Sequence, residues 1–433
     1  MSAVLSTGSR AAAGARSAGH GPVQARQGRG AVLRDIVGGY VARSVLRSVA
    51  RRVPVEFRLP GGARLADVAG EPQGAVEIVR PRQLWRRLAA NPKIGIGEGY
   101  TAGDWRVAEG HDLADTLRPF AERMTSAVPA PLMRLRRLVD RPMPRAQRNT
   151  PDGSRRNIEA HYDLSNALFE TFLDRTLTYS SALFDDAVPW SEQDLAAAQV
   201  RKVEAVLDLA EVGEGTRLLE IGTGWGTLAL AAARRGAHVT TLTLSHEQAE
   251  LASARVREAG LGHLVEVRLE DYREVAGEFD AVVSVEMIEA VGEEYWPTYF
   301  AAIDGVLAPG GRVAIQGIVM AHDRYLATRR SYGWIQKHIF PGGLIPSVRA
   351  IEETTSTHTG LRVDSVSAFG LHYAETLRRW REQFTASTAT VAALGFDEEF
   401  QRTWEFYLAY CEAGFASGYL DVVHVRLSRP MAA

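Results

Sequence analysis

From Ile158 to the end of the chain, short apolar segments alternate with helical stretches, and that rhythm limits the fold more than any other feature. RLLEI, HVTTLTL, LVEVRL, FDAVVSV and RVAIQGIV are the apolar segments. Such alternation predicts a largely parallel sheet covered by helices on both faces. Two later runs, RVDSVSAF and DVVHVRL, would complete a seven-stranded sheet. No internal repeat interrupts the pattern.

The chain of 433 residues is long enough for this α/β unit and a smaller one before it. Residues 1–30, rich in Ala, Gly, Ser and Arg, hold too few large apolar side chains to offset ordering entropy, so a disordered basic tail is expected. An arginine-rich start free of acids also resembles an organelle transit peptide. From Leu33, the residues Leu33, Ile36, Val37, Tyr40, Val41, Val45 and Val49 recur at helical spacing, with arginines largely off that stripe. A basic amphipathic helix of this kind suits a membrane interface, or packs on its own domain; Gly38 and Gly39 each cost it about 1 kcal/mol relative to Ala. Residues 31–138 then read as a small mixed domain that associates with lipid or membrane. It contains a strand-like VEFRLP, a helical RQLWRRLAA and a turn-rich GIGEGYTAGDW. Residues 139–157 read as a linker, and 158–433 as the catalytic domain.

Charge is distributed unevenly. Ten arginines precede Pro60 against only Asp35 and Glu56, and a second basic run spans Arg134 to Arg156. The asymmetry points to an acidic partner, either nucleic acid or an anionic membrane surface. No apolar run approaches the roughly 18 residues of a membrane-spanning helix. The single cysteine, Cys411, excludes an internal disulfide framework and leaves too little thiol for a structural zinc site; a cytoplasmic setting without a metal is the expectation.

The sharpest short motif is LLEIGTGWG, residues 218–226, where a strand ends, a glycine turn follows and a helix begins near Thr227. Gly222, Gly224 and Gly226 allow a tight bend and let a ligand approach the main chain. Two features argue against a dinucleotide: Thr227 stands where G-x-G-x-x-G has its third glycine, and the next strand ends in TLTLS without an acid for a ribose diol. Glu220 sits just before the glycines instead. The arrangement looks like motif I of the Rossmann-like methyltransferases; a tight turn without a ligand is the bland alternative.

Nine ordered matches carry a more specific resemblance: HYDLSN (161–166), TYSSALF (178–184), LLEIGTGWG, TLTLSHEQ (241–248), EDYRE (270–274), VEMIEAVG (285–292), HIFPGGLIPS (338–347), FGLHYAETLRRW (369–380) and YLAYCEAGF (407–415). On these the chain resembles the cyclopropane-fatty-acyl-phospholipid synthase family, and GEGYTAGDW (97–105) resembles an element of the longer synthases' N-terminal domain. The resemblance implies a Rossmann-like class I methyltransferase fold and an S-adenosyl-L-methionine-dependent enzyme. It would deliver a one-carbon unit to the cis double bond of an unsaturated acyl chain on a phospholipid. Tyr179 and Ser180 match positions at the cofactor's methionine end, beside the three glycines. Thr243, Ser245 and Gln248 match the ribose side, and Asp271 and Tyr272 the adenine edge. Ser245 also reads as a helix N-cap, and either tyrosine as a core aromatic.

Methyl transfer to an alkene leaves a carbocation, which a closed pocket must keep from water and aromatic faces can stabilise. Tyr162, Tyr295, Trp296, Trp334 and Tyr373 are candidates, each also readable as core packing. A base must then collect a proton. The family's bicarbonate is held by a cysteine, a glutamate, a histidine and a tyrosine. Here Glu289 and Tyr373 stand at the matching positions, but Ser181 replaces the cysteine and Gln316 the histidine. The bicarbonate is therefore doubtful, and Glu289 becomes the expected direct or anion-mediated acceptor. His161 is a candidate for orienting the glutamate, and His322 for a substitute base. Residues 315–343 resemble the fatty-acid 10-methylene synthases of the tuberculostearic-acid pathway more than ring-forming enzymes, so a methylene branch on oleoyl is expected, with a cyclopropane as the alternative. Further alternatives are a small-molecule methyltransferase and a non-catalytic lipid-binding homologue. A methylene product is compatible with a separate partner reductase acting after it. The expected partners are the phospholipid and, peripherally, the inner face of an anionic membrane, without nucleic acid; a homo-oligomer is compatible with the sequence.

Overall fold

The computed structural model describes residues 29–123, 143–144, 147, 149–150, 153 and 165–429, with side chains from residue 37 onward. The arginines from Arg134 to Arg156, together with His161 and Tyr162, lie outside the described residues, as does almost all of the expected tail and linker.

Seven strands form the main sheet: β4 (Arg217–Ile221), β5 (His238–Thr243), β6 (Val265–Leu269), β7 (Phe279–Val285), β8 (Leu307–Val319), β9 (Arg362–Ala368) and β10 (Asp421–Ser428). Their spatial order is β6-β5-β4-β7-β8-β10-β9, with β10 antiparallel to both neighbours and the remaining pairings parallel. All seven coincide with the apolar runs of the sequence. β4 lies between β5 and β7, so the chain crosses over in opposite directions from it, and the carboxyl ends of β4 and β7 open side by side. In open parallel sheets that is where ligands bind. Buried Val, Leu, Ile and Ala of β4, β7 and β8 face helices on both sides, among them Leu195–Leu209, Thr227–Arg234 and Trp296–Val306.

The N-terminal part is built on a three-stranded sheet of β1 (Val55–Arg58), β2 (Gly74–Ile78) and β3 (Trp105–Val107). Its first helix, Arg29–Ala50, begins inside the last residues of the expected tail. Its buried side is not the apolar stripe read from the sequence. Gly38 and Gly39 approach Ala89 and Trp85 of the helix Pro81–Ala90, and Ala42 and Ala50 are buried beside them. Val37, Tyr40 and Val41 are left exposed, Tyr40 by 74%. The two glycines that weaken the isolated helix thus make its close packing possible.

GIGEGYT, expected to be turn-rich, is a helix, Pro92–Thr101. The Asn91 side chain accepts from the N–H groups of Lys93 and Ile94, and Pro92 occupies the first turn, so the start is well capped. The glycines are there for space. A Cβ on Gly95 would lie 2.5 Å from the Arg87 carbonyl, one on Gly97 2.5 Å from Trp334, and one on Gly99 2.9 Å from Leu84. Three helical glycines cost about 3 kcal/mol in propensity, and burying the indoles of Trp105 and Trp334 against them returns roughly 2–3 kcal/mol each. Tertiary packing overrides local preference here.

The same helix joins the two parts of the molecule. Tyr100 Oη donates to Glu405 at 2.9 Å, and Arg402 Nε donates to the Thr101 carbonyl at 2.8 Å. Lys337 pairs with Glu98. Nearby, Arg381 bridges Asp112 and Glu412, each at 2.8 Å. Gly97→Val should therefore lower stability by about 1–3 kcal/mol through overpacking against Trp334, and the same substitution made in a Trp334→Ala background should cost less. Thermal denaturation of the single and double variants measures this; a Gly97→Val protein as stable as the parent would contradict the packing described.

Candidate active site

One cavity at the carboxyl ends of β4, β5 and β7 collects most of the residues expected to hold a cofactor. Tyr179, Ser180, Glu220, Gly222, Gly224, Thr243, Gln248, Asp271 and Tyr272 all line it. Gly226 and Ser245 are not among the lining residues. Gly226, at φ 85°, precedes the helix Thr227–Arg234 and lets it approach Ala252, 3.1 Å from where a Cβ would be. Ser245 is the N-cap of the helix His246–Glu258, its Oγ accepting from the Gln248 N–H at 3.3 Å.

The lining residues are braced by each other. Thr243 Oγ1 donates to Gln248 Oε1 at 2.9 Å. Asp271 is clamped by Arg273 at 2.6 and 2.8 Å. Tyr272 meets Tyr299 edge to face at 5.4 Å, and Tyr179 shares a 2.7 Å hydrogen bond with Tyr407. Gly222 takes φ 98°, and a Cβ there would lie 2.7 Å from the Met287 side chain. Two features suit the cavity to a zwitterionic, sulfonium-bearing nucleoside. Gly224 has open space where a Cβ would stand, so its main chain is accessible. Glu220 Oε2 is buried without a hydrogen-bond partner among the described residues, which leaves it open to a ligand. Burial pushes the Glu220 carboxyl up to about 8, against the pull of Thr241 and Lys202.

Ser181, Gln316 and Tyr373 converge as expected, but around a different carboxylate. The Ser181 N–H donates to Glu286 Oε1 at 2.9 Å, Gln316 Nε2 donates to the same oxygen at 2.8 Å, and Tyr373 Oη donates to Glu286 Oε2 at 2.8 Å. Ser181 contributes its backbone; its hydroxyl turns to the Ala182 carbonyl. Gln316 is oriented by His424, whose Nε2 lies 3.0 Å from Gln316 Oε1. Burial lowers the His424 pKa to about 4, so the ring is neutral. An amide oxygen can only accept, so Nε2 carries the proton and the Gln316 NH2 is left for Glu286.

Glu289 is not part of that cluster. Its Oε1 accepts from the Ile318 N–H, and its Oε2 is buried without a partner among the described residues. Burial first, and the Glu286 charge second, push its carboxyl up to about 8. That environment favours the protonated form of the expected acceptor. Lys202, fully buried on the helix Leu195–Leu209, donates to Ser180 Oγ, and its charge acts on Glu286 and Glu220; burial lowers it to about 8. Glu286, Lys202 and His424 were missed in the sequence. The available signal was positional: Glu286 follows directly on β7, the strand paired with the glycine-turn strand.

The other candidates fall elsewhere. His322 accepts or donates at 2.8 Å with Ser347, next to the helix N-cap it forms, away from the Glu286 cluster. Trp296 donates to the Ile288 carbonyl, Tyr295 sits over Arg273, and Trp334 is taken by Gly97. Of the five aromatics proposed for a cation, Tyr373 alone touches the cluster among the described residues, its ring 4.5 Å from that of Phe415. Cys411 is packed against the main core, and burial raises its thiol to about 12.

Sheet order, the antiparallel strand and the glycine turn define a class I S-adenosylmethionine-dependent methyltransferase. The fold is shared with coclaurine N-methyltransferase, 17% identical with a TM-score of 0.55 over 77% of this chain and 97% of that one. A family model, mycolic acid cyclopropane synthetase, matches residues 149–425, and the chain belongs to that family. It is 50% identical over 395 residues to the tuberculostearic acid methyltransferase UfaA1 of Mycobacterium tuberculosis, covering 90% of this chain and 91% of that one. It is 30% identical to the cyclopropane-fatty-acyl-phospholipid synthase of Escherichia coli K12, covering 84% and 90%. The crystal structure of a mycolic acid cyclopropane synthase with SAH and CTAB matches 63% of this chain and 97% of its own, with 30% identity and a TM-score of 0.57. The chain is an S-adenosylmethionine-dependent enzyme that modifies lipid acyl chains.

The raised Glu289 carboxyl has a thermodynamic consequence. Folding favours its protonated form, a stabilisation complete below the unfolded value of 4.5 and lost as pH rises through about 8. Glu289→Gln cannot ionise, so its melting temperature relative to the parent should climb between pH 4.5 and about 8. A difference that stays flat over that range would mean that Glu289 is ionised throughout.

Proposed function

We propose that the enzyme places a methyl-derived carbon on the cis double bond of a phospholipid-bound oleoyl chain and releases a 10-methylene branch. The observation that carries this reading is the 50% identity to a tuberculostearic acid methyltransferase over 90% of the chain; the family match at residues 149–425 covers both the cofactor cavity and the Glu286 cluster. When bound, S-adenosylmethionine supplies an electrophilic methyl on sulfur. The chain's own part is to seat that group with Gly222, Gly224, Glu220 and Tyr179, and to exclude water that would quench a cation. A buried carboxylate within the same cavity supports proton removal after a hydride shift. Reduction of the methylene would fall to a separate reductase.

Lipid access is proposed at the N-terminal helix. Val37, Tyr40 and Val41 form an exposed apolar group with Arg43 beside it, as an interfacial helix on an anionic leaflet requires. No helix among the described residues is long and apolar enough to span a membrane.

Two measurements test these readings. Lipids from an expressing host rich in oleate should contain a product 14 mass units heavier, in keeping with the addition of about one CH2, and its NMR spectrum should show exocyclic methylene protons. Cyclopropane protons without that signal would assign ring closure instead. Binding to anionic phospholipid vesicles should weaken with salt, and should fall about tenfold in the Val37→Ser, Tyr40→Ser, Val41→Ser variant, as expected for roughly 1.5 kcal/mol of lost apolar burial. Unchanged binding would remove this helix from the interface.

A further inference from the structure

Ser181, Gln316 and Tyr373 stand at three of the positions that the family resemblance places around a free bicarbonate, yet here they grip a carboxylate of the chain itself. We propose that Glu286 is the proton acceptor of the reaction, a built-in replacement for a free anion, with Lys202 as its buried counter-charge. The proposal rests on the acyl-branching reading above.

Four observations support it. First, Glu286 receives three hydrogen bonds, two on Oε1 and one on Oε2. A carboxylate offers about four acceptor sites, so Oε2 keeps one for an incoming proton. Second, Glu286 lines the same cavity as Gly222 and Glu220, beside the cofactor's expected seat. Third, Glu286 is a non-glycine residue at φ 52°, in the left-handed region. That conformation is costly for an ordinary side chain and collects at functional positions. Fourth, Glu289 accepts one hydrogen bond and burial pushes its carboxyl up to about 8, whereas the burial that also raises Glu286 is opposed by three donors and the Lys202 charge. The contrast between the two carboxyls is what separates acid from base roles in one site.

The step balances as follows. The olefin's π pair forms the bond to the transferred methyl carbon, while the pair of the broken S–C bond stays on sulfur. Positive charge left on the adjacent acyl carbon moves to the methyl-bearing carbon by a hydride shift. Glu286 Oε2 takes one proton from the methyl group, and that C–H pair becomes the exocyclic double bond. The carboxylic acid then returns its proton to solvent.

Testing uses the full chain with vesicles of oleoyl phosphatidylglycerol. Turnover by the parent tests the acyl-branching reading; the remaining measurements test Glu286 alone. In buffer stripped of carbon dioxide, adding bicarbonate should leave the parent's rate unchanged, and a clear rise would overturn the proposal without any variant being needed. Glu286→Gln should lose about 10²-fold or more in kcat, the range of a general base, while calorimetry shows unaltered S-adenosylmethionine affinity. Near-parental turnover by that variant would overturn the proposal. Glu286→Ala should regain activity with formate, and should broaden the NMR line of ¹³C-bicarbonate where the parent does not.

Lys202 needs a readout that a purely structural role would not move. The titratable groups facing Glu286 are Lys202, Tyr373 and Glu289, with neutral His424 behind Gln316. Removing the positive charge in Lys202→Met should shift the acid limb of the kcat–pH profile to higher pH, since ionised Glu286 loses its partner. A lower rate with the limb unmoved would strike Lys202 from the proposal.

Discussion

The carboxyl ends of β4 and β7 emerge side by side because the chain reverses its winding at β4, and the chemistry of the site follows from that adjacency. β4 delivers Glu220 and the glycine turn; β7 delivers Glu286 and Met287 a few ångströms away, close enough that a methyl group on Gly222 would collide with Met287. Neither strand makes a site alone. Gly222 is required both for its positive φ and for the thickness of one side chain between the two strand ends.

Such crowding brings ionisable groups into a region with little water. Glu220, Glu286, Glu289 and Lys202 share it, and burial opposes the charged form of each. The structure answers differently for each. Glu286 has three donors and a nearby ammonium; Glu289 has one donor and gives up its charge; Glu220 keeps an oxygen unsatisfied. Leaving a buried polar atom unpaired costs about 1–3 kcal/mol, which is tolerable where a ligand completes the bond. The site thus distinguishes its carboxyls by the donors and charges that each one meets.

The central strands β4, β7 and β8 were legible because parallel strands buried on both faces read as apolar runs, whereas the edge strand β9 is largely exposed. The cofactor cavity was equally legible from LLEIGTGWG and the segments that follow each strand. Three things were not. The helix Pro92–Thr101 reads as turns because its glycines answer to Trp334 and Trp105, residues distant in sequence. Ser181 acts through its main chain, which side-chain chemistry cannot reveal. Glu286 looks like an ordinary polar residue closing a strand, and Glu289, three positions on, drew attention through its family match. Only the turn after β7 decides which of the two carboxyls meets Tyr373, and a positive φ at Glu286 makes that decision.

The glycine face of Pro92–Thr101 has a consequence for how this architecture can change. Trp334 lies in the segment leading to Leu344, whose N–H donates to the Glu289 carbonyl at 2.8 Å. The indole fits only against a residue without a side chain, so positions 97 and 334 form a lock whose two halves sit on different parts of the molecule. Exchange of the N-terminal part between relatives would succeed only when both halves travel together. Evolution of the N-terminal part is thereby tethered to the segment that reaches Glu289.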